Sequence, residues 1–535
     1  SVGEISVKTG NNARNGGKNS LNRLIRCVCG KKIGPDPRNF NQRVSLGRND
    51  LLIRTFPNFP WCCFLALKWK LSEPLKRNVS PMNKRDFIDI VNRIYNLQNE
   101  VSGFFDDKKV LLSLRRMIIN QQLYQAPMKL ELNTLARQYY WYCNYDGGYF
   151  DKVFQETHGI TLESYYKISA YFAMMSCIDN GKESEYIPVR LYLIHLIPMF
   201  GTDIVKKYLD LVSVKWNELR GFMSGFKDIK QRESEYYLDP PMMMKPFILI
   251  DEGLIILSKH LLRASLSSLV PTLLKDKHGS SYKDRFAKVM ESYIGSILNE
   301  LPSKIISEKE IISIYKQNEV QSKTVDFIVR EDVGTVYIDS KAIEPDKIIK
   351  HSNSAKSIKE RLANSFIKGV IQGMDCAYNM NEIDKKEKCI KDSLIIITHM
   401  DHYIPTGKMI EDVLDGSFFG MFENKYGELP INKNRIYYMT IDEFEFMIEV
   451  CCNKNVSITS IIDSCSDNDA ATSSQKFNVM MHLHQLSPEG ISDRKVIVEN
   501  RDYLFDDLIN SMQKSSSLWD GRVKEYLAVR KYLQS

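Results

Sequence analysis

Residues 324–341 read Thr324-Val325-Asp326-Phe327-Ile328-Val329-Arg330, then Glu331-Asp332-Val333-Gly334, then Thr335-Val336-Tyr337-Ile338-Asp339-Ser340-Lys341. Both flanks are β-branched and aromatic runs with period-two alternation, and the polar middle ends in glycine, the pattern of a β-hairpin. A turn centred on Asp332 and Val333 sets Glu331 opposite Gly334 and, counting outward, Asp326 opposite Asp339. Facing side chains in such a ribbon have Cβ atoms roughly 4.5–5.5 Å apart, where like charges are destabilising. Lys341, two residues beyond Asp339, projects from the same face. Two carboxylates and an ammonium on one small patch call for something to hold there, and a divalent cation answers best. Oxygen ligands without soft donors suit Mg²⁺ or Mn²⁺. Such an ion polarises a phosphoryl oxygen and lowers the pKa of a water, while the lysine orients that water or stabilises charge on the phosphorus centre. The competing reading is a surface hairpin whose outer face carries solvated charges.

Asp326, twelve intervening residues, then Asp339-Ser340-Lys341 on a second strand resembles the PD-(D/E)xK nuclease superfamily. That fold sets an acidic helix before the hairpin and a helix and a further strand after it. Upstream, Phe286, Val289, Met290, Tyr293, Ile294, Ile297 and Leu298 form an apolar stripe at helical spacing, with Glu291 at its edge and the small Ala287 and Gly295 one turn to either side. Downstream, residues 358–378 read as a helix with Lys368 and Gln372 one turn apart, and the apolar run 393–398 reads as a buried strand. The resemblance spans roughly residues 280–400. Val325 stands where the signature often has proline, and Asp339 replaces the commoner glutamate. The resemblance implies Glu291, Asp326 and Asp339 as metal ligands with the Ser340 carbonyl as a fourth. It implies Lys341 as the catalytic lysine, Lys368 and Gln372 as substrate contacts, and a 5′-phosphate product.

The fold class expected is mixed: a helix-rich N-terminal half, then an α/β restriction-endonuclease-like core with a central mixed sheet flanked by helices. The expected segments are a basic N-terminal stretch (1–80), a helical recognition domain (81–270), the nuclease-like domain (271–460) and a small helical C-terminal element (476–535). Residues 463–474, rich in Ser, Asp and Asn, read as a linker. Residues 203–223 read as continuous helix, 246–250 as a strand, and 254–274 as apolar helices. In residues 1–80, fifteen lysines and arginines stand against Glu4, Asp36, Asp50 and Glu73, so this stretch carries +11 of a net +7 and the rest carries −4. Such asymmetry points either to phosphate contacts or to a basic arm that aids solubility.

At 535 residues and 43% hydrophobic, the chain can bury large cores. No apolar run nears the ~18 residues that cross a bilayer, and no charged-then-apolar stretch opens the sequence. Eleven cysteines spread thinly fit free thiols. The expectation is therefore a cytoplasmic protein with no membrane association. Cys27-Val28-Cys29 and Cys62-Cys63 fit zinc spacing poorly. The run Tyr139-Tyr140-Trp141-Tyr142 is either a base-stacking platform or, more in keeping with its helical spacing, core. Together these observations lead to a Mg²⁺-dependent endonuclease acting on DNA or RNA, and the resemblance implies a setting like that of restriction or phage-defence effectors. A protein trigger or a second copy of the chain stays open as a further partner. The alternative is a nucleic-acid-binding or scaffold protein whose nuclease-like core does not cut.

Overall fold

The computed structural model describes residues 60–74, 82–103, 110–125, 128–177, 185–227, 233–385, 391–470, 476 and 478–534. It is mixed and helix-rich, 68% helical, with two mixed sheets. Among the described residues no helix is long and apolar enough to cross a membrane. Of the basic stretch 1–80, residues 1–59, with Cys27 and Cys29, and residues 75–80 lie outside the described residues.

The chain forms two compact units, each discontinuous in sequence. One is mainly helical and comprises residues 60–98, Asn120–Arg285 and the chain from Arg494 onward. Its sheet consists of β1 (Glu185–Pro188), β2 (Ser213–Lys215), β3 (Phe247–Ile250) and β4 (Gly253–Ile256), in the spatial order β1-β4-β3-β2. Two sequence expectations change here. Residues 203–223 do not run as one helix, because Ser213–Lys215 pair in parallel with Phe247–Leu249. The start of 254–274 is strand, because Gly253 approaches the Ile187 carbonyl so closely that a Cβ would lie 2.2 Å from its oxygen. The strand expected at 246–250 is β3. Trp141 and Tyr142 are fully buried, so the aromatic run is core. The helix Lys495–Lys514 does not stand apart as a separate C-terminal element. It buries Leu504 and Leu508, stacks Tyr503 on Tyr139, and receives Lys167 on Asp507 at 2.9 Å.

The second unit holds Asn99–Ile119 and Phe286–Asp493. Its sheet runs β5 (Lys304–Ser307), β6 (Phe327–Glu331), β7 (Gly334–Lys341), β8 (Ser393–Thr398), β9 (Ile436–Thr440), neighbours in that order. Strands β5, β6 and β7 are antiparallel, whereas β7, β8 and β9 are parallel. The hairpin has the register its sequence requires, with Phe327 opposite Ile338 and Glu331 opposite Gly334. Gly334 is needed there: a Cβ would stand 2.8 Å from the Lys391 carbonyl oxygen.

Helix α1 (Lys259–Leu298) is broken at Gly279, whose φ is +50°. From residue 286 on it carries the apolar stripe expected, and Gly295 lies against the Phe327 ring. Helix α2 (Glu308–Gln317) starts with a capping box in which Ser307 and Glu310 satisfy each other's backbone amides. The helix expected over 358–378 is two helices, α3 (Ala355–Leu362) and α4 (Phe366–Asp384). Gly369 and Gly373 bring α4 close to the sheet, where Cβ atoms would meet Ile396 and Leu394.

After β9 come α5 (Ile441–Lys454) and α6 (Ile458–Ala470). The supposed linker at 463–474 is therefore helical as far as Ala470. Ile458, Ile461, Ile462 and Cys465 supply a buried stripe, and the polar residues between them are its outer face. Asp463 on that face takes Arg435 and Lys391. Glu331, at the hairpin turn, accepts from the amides of Ile458 (2.9 Å) and Thr459 (2.8 Å) and so caps α6.

Candidate functional site

The ladder between β6 and β7 ends at Phe327–Ile338, so Asp326 sits one residue past the pairing, at the mouth of the hairpin. It does not stand free opposite Asp339. Its Oδ2 accepts from the Ser340 amide at 2.7 Å and the Ser340 hydroxyl at 2.5 Å. Burial raises the Asp326 pKa, and the two Ser340 hydrogen bonds and Lys341 pull it back only in part. Ser340 thus positions Asp326 through its amide and hydroxyl.

Asp339 is the most enclosed member of the group, 1% exposed. Burial pushes its pKa up to about 7, with further upward pressure from Asp326 and Glu308 and a counterweight from Lys341. Lys341 Nζ stands 2.5 Å from Asp339 Oδ2 as an ion pair. Lys341 spends a proton on Gln372 Oε1 at 3.0 Å, and Gln372 Nε2 in turn donates to the Thr324 carbonyl at 3.3 Å. Gln372 is thus an anchor for the lysine.

Gly369 closes the other side, since a Cβ there would come 3.1 Å from Asp339 Oδ2 and 3.1 Å from Ile396 Cδ1. A branched side chain has no room. Gly369→Val is expected to destabilise the fold by about 1–3 kcal/mol through overpacking, read by urea denaturation. An unchanged midpoint would mean that α4 can move away from Asp339.

Glu291 on α1 is half-buried, and its pKa is raised by burial, then by Asp326 and Glu308, against Lys309 and Lys288. Lys368 on α4 is held below the ordinary lysine value, chiefly by Lys323, with burial and Lys341 adding to it. The residues singled out from sequence therefore gather in one electrostatic neighbourhood. Two more belong to it that the sequence reading missed. Glu308, first residue of α2, accepts from the Thr324 hydroxyl at 3.3 Å. Lys323 stands beside Lys368. The Ser307-x-x-Glu310 box could have announced the helix start that carries Glu308, but nothing local says which strand that helix start faces.

Among the described residues, no three His, Cys, Asp or Glu side chains stand together closely enough to hold a metal ion. The reason is local: Asp326 is turned to Ser340, and Asp339 faces Lys341. What does fit a hard cation is the donor chemistry, all oxygen, and an enclosed carboxylate that calls for a positive charge beside it. Elsewhere, buried Cys62 lies 3.8 Å from the Tyr236 hydroxyl, and His482 Nε2 lies 3.1 Å from Asp469 Oδ2. Neither forms a metal-ligating group.

Compared with protein-family models, characterised proteins and solved structures, the chain matches none.

Proposed function

We propose that this protein is a Mg²⁺- or Mn²⁺-dependent nuclease whose centre is Asp339, Asp326, Lys341 and Glu291. The observation that carries the reading is Asp339, a fully enclosed carboxylate whose Oδ2 is ion-paired at 2.5 Å with Lys341 at the mouth of the hairpin. Natural cores seldom keep such a group without a task. The sequence of elements supports it too: a helix with Glu291, three antiparallel strands, a helix with Lys368 and Gln372, and a parallel strand.

A divalent ion held by Asp339 and Asp326 would supply charge against the scissile phosphoryl group and a lowered pKa for the attacking water. Glu291 would complete the ligand set from α1, and the Ser340 carbonyl would be a fourth donor. Lys341, steered by Gln372, would donate to a phosphate oxygen or to the water. Lys368 and Lys323 would meet the flanking phosphates, with the basic stretch 1–59 as a second phosphate-binding element. DNA and RNA are equally compatible with these groups, and anti-phage defence is the biological setting we propose.

One observation favours the rival reading, a core that binds nucleic acid without cutting it: no three ligating side chains converge among the described residues. End-labelled DNA and RNA incubated with the purified protein and Mg²⁺ or EDTA separate the two. The nuclease reading expects cleavage with Mg²⁺ and none with EDTA. Retarded but intact substrate under both conditions supports the rival. A second test reads the metal directly. Because Asp339 titrates at about 7, protons compete with the ion as pH falls. Mn²⁺ should therefore raise the melting temperature near pH 7.5 and do so much less near pH 5. A shift that persists in the Asp326→Asn, Asp339→Asn double variant would place the ion elsewhere.

A further inference from the structure

Lys341 is already where a cation belongs. Its Nζ is 2.5 Å from Asp339 Oδ2 and 3.0 Å from Gln372 Oε1. Gln372 is fixed in turn to the Thr324 carbonyl, and on the far side the bare α carbon of Gly369 leaves no space beyond Oδ2. The oxygen is thus boxed between a helix backbone and an ammonium. A carboxylate this enclosed is costly unless a positive charge accompanies it, and the fold supplies one from two residues along the same strand. A Mg²⁺ ion binds carboxylate oxygen at about 2.0–2.1 Å. It cannot share Oδ2 with an ammonium at 2.5 Å without strong repulsion between the two cations.

We infer that Lys341 is the resident counterion of Asp339 and that a divalent ion enters this centre by exchange, displacing the ammonium toward Gln372 and the substrate side. The inference rests on the metal-dependent reading above. The exchange ties two events together. Loading the centre frees the lysine for phosphate, so the group that would stabilise the reacting phosphate becomes available only when the ion is in place. It also fits the absence, among the described residues, of a preformed three-ligand group: Lys341 holds the place beside Asp339 that the ion would take.

Isothermal titration of the full-length protein with Mn²⁺ tests this. Lys341→Met removes the competitor and should tighten Mn²⁺ binding by about tenfold or more. Lys323→Met removes the same charge nearby without touching Asp339, and should tighten it by no more than about threefold through long-range attraction alone. Lys341→Arg keeps a cation against Asp339 and should stay within about threefold of the parent. Gln372→Leu loosens the ammonium without changing charge; it should give a smaller gain than Lys341→Met, and it decides the matter if that variant does not fold. Equal gains in Lys341→Met and Lys323→Met, with the parent binding Mn²⁺ normally, would overturn the exchange and leave the metal reading standing. No heat from the parent or from any variant would overturn both.

Discussion

Asp339→Ala is expected to abolish cleavage, by roughly 10²–10³-fold or more, the scale on which a principal electrostatic group of an active site acts. The fold should survive, because the charged carboxylate is a burden to it. Its folded pKa, about 7, lies above the ordinary 3.8. A carboxyl group raised in this way contributes stability below about pH 4, and that contribution is lost as pH rises through 7. The full span corresponds to about 4 kcal/mol at most. In the metal-free protein, Asp339→Asn should therefore be more stable than the parent near pH 8 and by clearly less near pH 5, the gap closing only below about pH 4. Lys341→Ala is expected to abolish cleavage as well, but to lower metal-free stability near pH 8, since it strips the enclosed carboxylate of its counterion. Urea titrations at the two pH values, beside a cleavage assay, read both effects. Asp339→Asn less stable than the parent at pH 8 would mean that the ion pair with Lys341 outweighs burial. Undiminished cleavage in either alanine variant would remove these residues from the chemistry.

The hairpin was legible because three local signals agree: alternation on both strands, the polar Glu331-Asp332 pair entering the turn, and Gly334 leaving it. Agreement of that kind fixes register, and the two-residue pleat of the strand places Asp339 and Lys341 on one face. The same counting placed Asp326 opposite Asp339 but could not foresee that the ladder stops at Phe327 and that Ser340 claims the Asp326 carboxylate. Strand ends are decided by side-chain competition for backbone amides, which pairing patterns do not contain. Glu308 and Lys323 were invisible for a related reason: their place in the site depends on how α2 and the segment after it return to the sheet. The polar stretch at 463–470 misled because composition was weighed above the buried spacing of Ile461, Ile462 and Cys465. The short strands β2 and β4 were absorbed into helices because runs of three or four residues are too short to show either period. Only their partners in the sheet decide.

Arg115→Met is expected to cost about 3–5 kcal/mol, the largest loss of stability from any single side chain considered in this unit. Residues 110–120 carry a helical pattern, and continuity along the chain assigned them to the N-terminal recognition domain. The structure assigns Arg115 otherwise, because Asn99–Ile119 belongs with Phe286–Asp493. Its guanidinium is fully buried, with Nε donating to the His402 carbonyl at 2.7 Å and Nη1 to the Ile349 carbonyl at 2.5 Å. Burial lowers its pKa to about 10, opposed by Asp401 and Tyr403, so it stays charged at neutral pH. The short helix Lys347–His351 that follows β7 and the loop that follows β8 are thus held by one side chain 234 and 287 residues upstream. Methionine fills much of the volume but leaves both carbonyls without a donor. Lysine keeps the charge, yet one ammonium cannot reproduce the guanidinium's fork, so Arg115→Lys should recover only part of the loss. The same contact makes a prediction about dissection. Residues 271–460 expressed alone lack Arg115, Leu112 and the rest of that helix, and should not unfold cooperatively. Adding residues 99–119 in trans as a peptide should restore a sigmoidal urea transition. If Arg115→Met costs under about 1 kcal/mol, or if 271–460 alone unfolds in one sharp step, the helix is an ornament on this unit and not part of its core.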